Sequence, residues 1–313
     1  MKFYQLKGEI LRHMRKLITA RLHRYPRFCA NTPQRIYFFN NNHNAASAYL
    51  RARQLCEIVS PVMEAGLIDD IADIPDRSVV VGTKGTLPIL ARAISECRQP
   101  QVRFYYDPVD QLLAPADIEL ADGLIASSYR QYLWLRTQTA KPVFLIPHHA
   151  DSRIVQRVRH DAGFRVAYFG DERNIFLGDS LQRQIDVFQV KQHQDTRWMA
   201  QLANYPLHYC IRRKPEKSHT FNPATKLFIA AKAGAAVITT RDESDAELLL
   251  PPDYPFYCQT RSEKAIQETL AFARESFCTP IFAKAVADVS QIRGWREEEQ
   301  ILQLRQLLAL TKV

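Results

Sequence analysis

Residues 220–240 read Thr-Phe-Asn-Pro-Ala-Thr-Lys-Leu-Phe-Ile-Ala-Ala-Lys-Ala-Gly-Ala-Ala-Val-Ile-Thr-Thr, and the order of that stretch decides the fold class. A polar loop leads into a helical pattern over 224–232, a break at Gly234 and an apolar, β-rich run over 235–240. Pro223 suits the first turn of a helix, where a missing N–H leaves no bond unmade and φ is already helical. Gly234 stands where a helix-to-strand turn takes a positive φ. Loop, helix N-terminus and buried strand in this order can hold an anion, because the first-turn amides lack intrahelical partners and the dipole there is positive. Lys226 lies in that first turn and adds a full charge; Asn222 and Thr225 flank it as further candidates. Read blandly, helix, glycine and strand are what any α/β unit shows, with Lys226 a solvated helix residue.

Working outward, the same strand–turn–helix rhythm recurs on both sides. Downstream, 241–248 is acidic, and Glu247, with Asp245 second, is a candidate for a ligand hydroxyl or simply a carboxylate favouring a helix N-terminus. A strand near 256–258, a helix over 262–275 capped by Ser262, and a largely helical 281–310 that tolerates Gly294 close the chain. Upstream, a strand over 206–211 runs into Arg212-Arg213-Lys214, and guanidinium forks match phosphate oxygens bidentately. The strand over 164–169 ends in Gly170-Asp171-Glu172-Arg173-Asn174 and restarts the pattern after a charged stretch, 152–163, that marks a domain boundary. A helix over 179–185, a strand over 187–190 and a helix over 195–203 follow.

The first half opens with a strand over 35–39, an asparagine-rich turn containing Asn42 and His43, and a helix over 45–59 whose Arg51, Arg53 and Glu57 form the charged face. Asparagines tolerate turn conformations and offer donors and acceptors to ligand hydroxyls, or merely cap the turn. Strands over 78–82, 102–106, 123–127 and 143–146 follow, with a helix from 129 to 136 capped by Ser128. Acidic residues just beyond a parallel strand face the crevice, so Asp107 or Asp110 is a candidate general base, although Asp-Pro also initiates turns. His148 and His149 end the last strand of this half; either acts as base or hydrogen-bond donor if it lines the cleft, and is otherwise a surface linker histidine.

The full chain has 313 residues, 46% of them hydrophobic and 24% charged, which suits two soluble domains. Its runs are too short for a membrane span, and no secretory signal is evident, so a cytoplasmic setting is expected. Six cysteines are widely spaced, without metal-ligand spacing, and read as reduced, mostly buried small hydrophobes. A net charge of +9 favours anionic partners. Positive charge is densest over 1–30, where apolar residues recur at helical spacing between lysines and arginines. This basic amphipathic pattern fits either an anionic membrane surface or a helix packed on the body. No nucleic-acid recognition motif follows it, and nucleic acid is not an expected partner.

The string over 223–240 resembles the donor-site segment of GT-B glycosyltransferases of the bacterial family 4-like type, in which a K-L-x-x-A-x-A-x-G-x-P-V-I pattern precedes a strand of the C-terminal Rossmann-like domain. Retaining members carry two glutamates eight positions apart around this helix; Phe221 and Ile229 stand there instead. The resemblance implies two Rossmann-like α/β domains facing a central cleft, 31–151 for the acceptor and 152–294 for the donor, with 295–313 packing back on the first. It implies transfer of a sugar from a nucleotide-sugar to a hydroxyl of a glycan or lipid-linked acceptor, with no metal and no cofactor beyond that co-substrate. On this reading Asp107 and His148 are catalytic candidates, and Gly170, Arg173, Arg212, Arg213, Asn222, Thr225, Lys226 and Glu247 hold the donor. A glycosyltransferase-like binding or scaffold protein is the alternative.

Overall fold

The computed structural model describes residues 35–39, 46, 49–97, 99–159, 161–190, 193–213 and 221–311. The basic pattern over 6–24, Asn42, His43 and Lys214 lie outside the described residues. Strands β1 (Arg35–Phe39), β2 (Glu64–Ile68), β3 (Ser78–Thr83), β4 (Arg103–Asp107), β5 (Gly123–Ala126) and β6 (Val143–Leu145) form one parallel sheet in the order β2-β1-β3-β4-β5-β6. Strands β7 (Val166–Gly170), β8 (Asp186–Gln189), β9 (Leu207–Tyr209), β10 (Ala236–Thr240) and β11 (Tyr257–Cys258) form a second, in the order β11-β10-β9-β7-β8. Each order reverses once, between β1 and β3 and between β7 and β9, and such reversals open a crevice at the carboxyl ends of the strands.

The helices are α1 (Leu55–Val59), α2 (Leu87–Glu96), α3 (Pro115–Leu120), α4 (Tyr129–Gln138), α5 (Arg197–Gln201), α6 (Thr225–Ala233), α7 (Ala246–Leu249), α8 (Glu263–Glu275), α9 (Pro280–Ser290) and α10 (Glu297–Leu310). Both faces of each sheet are covered, as the near-continuous apolar strands require. In β3 all six residues are buried; Val79 and Val81 face one core with Ile36, Phe38 and Leu55, while Val80 faces the other with Leu90 and Tyr106. Leu304, Leu307 and Leu308 of α10 belong to the first of these cores, so the end of the described chain returns to the sheet where it began. Gly234 takes φ 74° as the left-handed cap of α6, as its place in the sequence predicts.

Some elements depart from the sequence reading. Of the helix expected over 45–59, Ala46 is helical, Tyr49–Gln54 is a π-helical turn and Leu55–Val59 is the short α1; π-helical turns concentrate at functional sites. The helix expected over 179–185 is absent: hydrogen bonds from Leu181 and Gln182 to the Gly178 carbonyl close turns instead. β2, with Gly66 in its centre, has too little β-branched character to be found by pattern. The long closing helix is two, α9 and α10, broken at Gly294 with φ 97°. A side chain at Gly294 would meet Pro147 at 2.8 Å, so both the conformation and the close approach require glycine there.

Among the described residues no helix is long and apolar enough to cross a membrane, and no group of three or more His, Cys, Asp or Glu side chains could hold a metal ion. Cys56, Cys210 and Cys258 are buried thiols and Cys278 is an exposed one.

Candidate active site

β7 ends at Gly170, and α6 begins opposite it. A Cβ at 170 would lie 3.1 Å from the Lys226 Cε and Nζ, which is why this strand end takes a glycine: it lets the lysine fold across the crevice. The Lys226 Nζ rests 4.9 Å from the centroid of the Tyr168 ring. It makes no ion pair among the described residues. Burial, then the nearby positive Arg212, bring its pKa down from 10.5 to about 7, while Cys210, Glu243 and Asp171 act the other way. An amine so placed gains its charge back when an anion enters.

Gly170, Thr225 and Lys226 line one cavity of about 170 Å³, together with Leu50, Phe169 and Trp198. Small-molecule pockets commonly span roughly 300–1,000 Å³, so this cavity has room for one group of a ligand rather than for a whole one. Ala46 and Leu50, which follow β1, form its opposite wall, so it lies between the two sheets at the first-half switch point.

Arg212 approaches from the end of β9. Its Nη2 donates to the Pro223 carbonyl at 3.4 Å, at the start of α6, but its Nε lies 3.5 Å from Glu243, and its amide donates to the same carboxylate at 3.0 Å. Arg261 shares that carboxylate at 3.4 Å. Glu243 therefore stands where sequence reading placed nothing, a 5% exposed carboxylate held between two arginines. Asn222 and Glu247 are half-buried and engaged in contacts of their own.

Five donor candidates, Arg173, Arg212, Arg213, Asn222 and Glu247, do not line the cavity, and two of them face away from it. Arg173 is 84% exposed and paired with Asp171 at 2.5 Å, since the short 3-10 turn after β7 folds it back on its own loop. Arg213 is exposed, its amide tied to the Asn174 carbonyl at 2.8 Å. Neither adds charge beside Lys226.

The catalytic candidates of the first half are also placed differently from the expectation. Asp107 is 1% exposed. One oxygen takes Arg51 Nε at 2.7 Å and Nη2 at 2.6 Å, and the other accepts the Val109 amide at 3.0 Å. Burial raises its pKa and the arginine opposes that rise. With both oxygens occupied and no surface in the cleft, Asp107 holds the fold rather than receiving a substrate proton. Arg51, read as part of a charged helix face, is fully buried and donates also to the Pro147 carbonyl at 3.0 Å. His148 is 5% exposed, and burial lowers its pKa to about 3, so it stays neutral. His149 is wholly buried beside Gln54, whose amide donates to Asp151 at 2.6 Å. Neither is a surface linker histidine. No sequence spacing marks Arg51, because its carboxylate partner lies 56 residues away. In contrast Asp110 is one-third exposed, beyond the end of β4, and pairs with Lys84 at 2.6 Å.

The carboxyl edges of the sheets face each other. Asp245, after β10, accepts the Tyr129 and Arg130 amides at 2.7 and 3.1 Å and so caps α4, which follows β5. Phe221 packs on Trp134 with centroids 5.0 Å apart. On the other side, Tyr49 stacks on His193 at 4.5 Å, with the Arg153 guanidinium 4.5 Å from the Tyr49 centroid. Asp245 is thus a cap across the cleft, not a ligand carboxylate. Burial raises its pKa from 3.8 to about 6 against the two amide bonds. A raised acid binds its proton more tightly in the folded state, so the stability it confers is full at low pH and is lost as pH rises through the folded value. Urea midpoints should show stability falling by on the order of 2 kcal/mol across this range, and Asp245→Asn should flatten the slope; an unchanged slope would refute the assignment.

No family model and no curated protein matches the sequence. Solved structures do. The fold is GT-B. HepE of Anabaena, solved in complex with UDP, superposes with a TM-score of 0.58 at 13% identity, over 88% of this chain and 100% of that one. AviGT4, a glycosyltransferase involved in avilamycin A biosynthesis, gives 0.54 at 11% identity, over 88% and 97%. TarM of S. aureus, solved with fondaparinux, alpha-GlcNAc-glycerol and UDP, gives 0.50 at 9% identity over 75% of this chain; the match spans 55% of TarM. At such identities the likeness establishes the fold alone.

Proposed function

We propose that this chain transfers a glycosyl unit from a nucleotide-sugar to a hydroxyl of a glycan or lipid-linked acceptor, in bacterial surface glycan or glycolipid assembly. The observation that carries this reading is Lys226: a cation without an ion-pair partner among the described residues, in the first turn of α6, facing the end of β7 at a switch point of a GT-B fold. As the glycosidic bond breaks, negative charge grows on the departing diphosphate. Lys226, the free amides of α6 and the flank of Arg212 stabilise it where it develops, without a metal. Thr225 sits beside the same anion, and Asn222 and Glu247 are assigned to hydroxyls of the nucleotide ribose or sugar. Asp110 takes the role of base in place of Asp107, since it is the carboxylate beyond β4 that reaches solvent.

A panel of UDP-, GDP-, CMP- and ADP-sugars, followed for release of free nucleotide, tests this. Turnover with at least one donor is expected, and Asp110→Asn should lower it by about 100-fold or more while leaving nucleotide binding intact. The engagement of Asp107 and Asp245 favours one second reading, a glycosyltransferase-like protein that binds a nucleotide-sugar without turning it over. Binding with no nucleotide released by any donor would select it. The basic segment over 1–30 is assigned to the anionic inner membrane surface, and its deletion should abolish sedimentation with anionic vesicles; persistence would remove it from the account.

A further inference from the structure

We propose that Lys226 is also a site of reversible covalent modification, its amine condensing with the carbonyl of a phosphorylated aldehyde to form an imine that occupies the nucleotide end of the cleft. The inference rests on the proposed donor site for the seat of the phosphate, but not on glycosyl transfer. Attack on a carbonyl requires a neutral amine, reachable from solvent and close to a group that holds the rest of the molecule. Lys226 meets all three conditions. It lines a cavity open to the cleft and pairs with no carboxylate among the described residues.

The charged groups around it have other partners: Asp151, which lines the same cavity, is tied to Arg153 at 2.6 Å, and His193 is stacked on Tyr49. From β7, Tyr168 lies under the amine with its phenol held protonated by burial, and Asp171 beyond it is tied to Arg173. From β9, His208 and Cys210 line the narrow slot beneath the amine with Phe169 and Ile229. Burial pushes the Cys210 thiol up to about 12 and the His208 imidazole down to about 3, so both are neutral. His208 is 2% exposed and its Nε2 has no hydrogen-bond partner among the described residues, an unspent polar atom at the floor of the site. From the loop after β10, Glu243 is shared between Arg212 and Arg261, and Arg212 adds positive field. Desolvation and a neighbouring cation are the conditions under which lysines become nucleophiles.

The step balances without redox change. The nitrogen lone pair forms the bond to the carbonyl carbon, the amine gives up two protons, and the carbonyl oxygen leaves as water. The phosphate of the same molecule takes the amides of α6 and Arg212, which holds the carbonyl at the Nζ. Phe169 and Trp198 supply the apolar wall for the carbon skeleton.

Pyridoxal phosphate is the probe, applied to the full chain, with borohydride to fix the imine and peptide mass mapping to locate it. We expect one equivalent, on Lys226, with pyridoxal lacking phosphate reacting at least tenfold more slowly. The labelling rate should rise about tenfold between pH 6 and pH 8 and level off, whereas an ordinary lysine gains about a hundredfold over that interval. Lys226→Arg should abolish the label. Equal labelling of surface lysines such as Lys84 and Lys264, or a label that survives in Lys226→Arg, overturns the proposal. Label without protection by UDP leaves the covalent site standing and removes the donor assignment; UDP binding without label does the reverse.

Discussion

Asp107→Ala is expected to destabilise the fold by about 3–5 kcal/mol, because removing one partner of a buried ion pair strands the other. Arg51 is fully buried, and its remaining partner is the Pro147 carbonyl, which cannot balance a guanidinium charge. The Val109 amide loses its acceptor as well, at a residue already held at φ 60°. Asp107→Asn keeps an acceptor for Val109 and should cost less. Urea unfolding of both variants separates two roles. A structural aspartate shows up in the unfolding midpoint, and turnover falls only as far as the folded fraction does. If Asp107→Asn keeps the wild-type midpoint and loses turnover by orders of magnitude, the aspartate is chemical after all and the pairing with Arg51 is incidental.

Lys226→Ala is expected to weaken binding of UDP, or whichever nucleoside diphosphate binds, by about 10- to 100-fold. That range corresponds to the roughly 1.5–3 kcal/mol of a hydrogen bond to a charged group. The fold should survive, since the side chain is only half-buried and no ion pair among the described residues depends on it. The sign of the pH effect follows from the same environment. With its pKa lowered to about 7, Lys226 carries its charge below neutrality and loses it above. Affinity for the diphosphate should therefore fall as pH rises through 7, and the variant should show no such dependence on this group. Calorimetry at fixed ionic strength reads both. Unchanged affinity in the alanine variant would mean that the anion sits elsewhere.

Local pattern carried much of this architecture. The β-branched run of β3, the apolar 236–240, Gly234 behind α6 and Ser128 and Ser262 as caps are decided by neighbours in sequence, and each is found where it was expected, whereas Pro223 lies before the Ala224 cap rather than in the first turn of α6. Gly170, Thr225 and Lys226 were legible for the same reason: one is a strand end and the others a helix start, and parallel topology brings such ends together. What was not legible depends on partners far apart in the chain. Arg51 looks solvated beside Arg53 and Glu57 until Asp107 is folded against it. Arg173 and Arg213 look like anion ligands until the turn after β7 shows them facing out. Asp245 looks like a hydroxyl ligand until α4 of the other half presents its amides. Charge identifies a residue that needs a partner; only the fold says which partner it has found.

Gly294 and Pro147 belong to the two places where the backbone passes from one half of the molecule to the other, and they touch. The halves are thus joined by two crossings that lie side by side, like the paired leaves of a hinge pin. A bulkier residue at 294 would press on Pro147 and disturb both crossings at once, without touching any residue that lines the cavity beside Lys226.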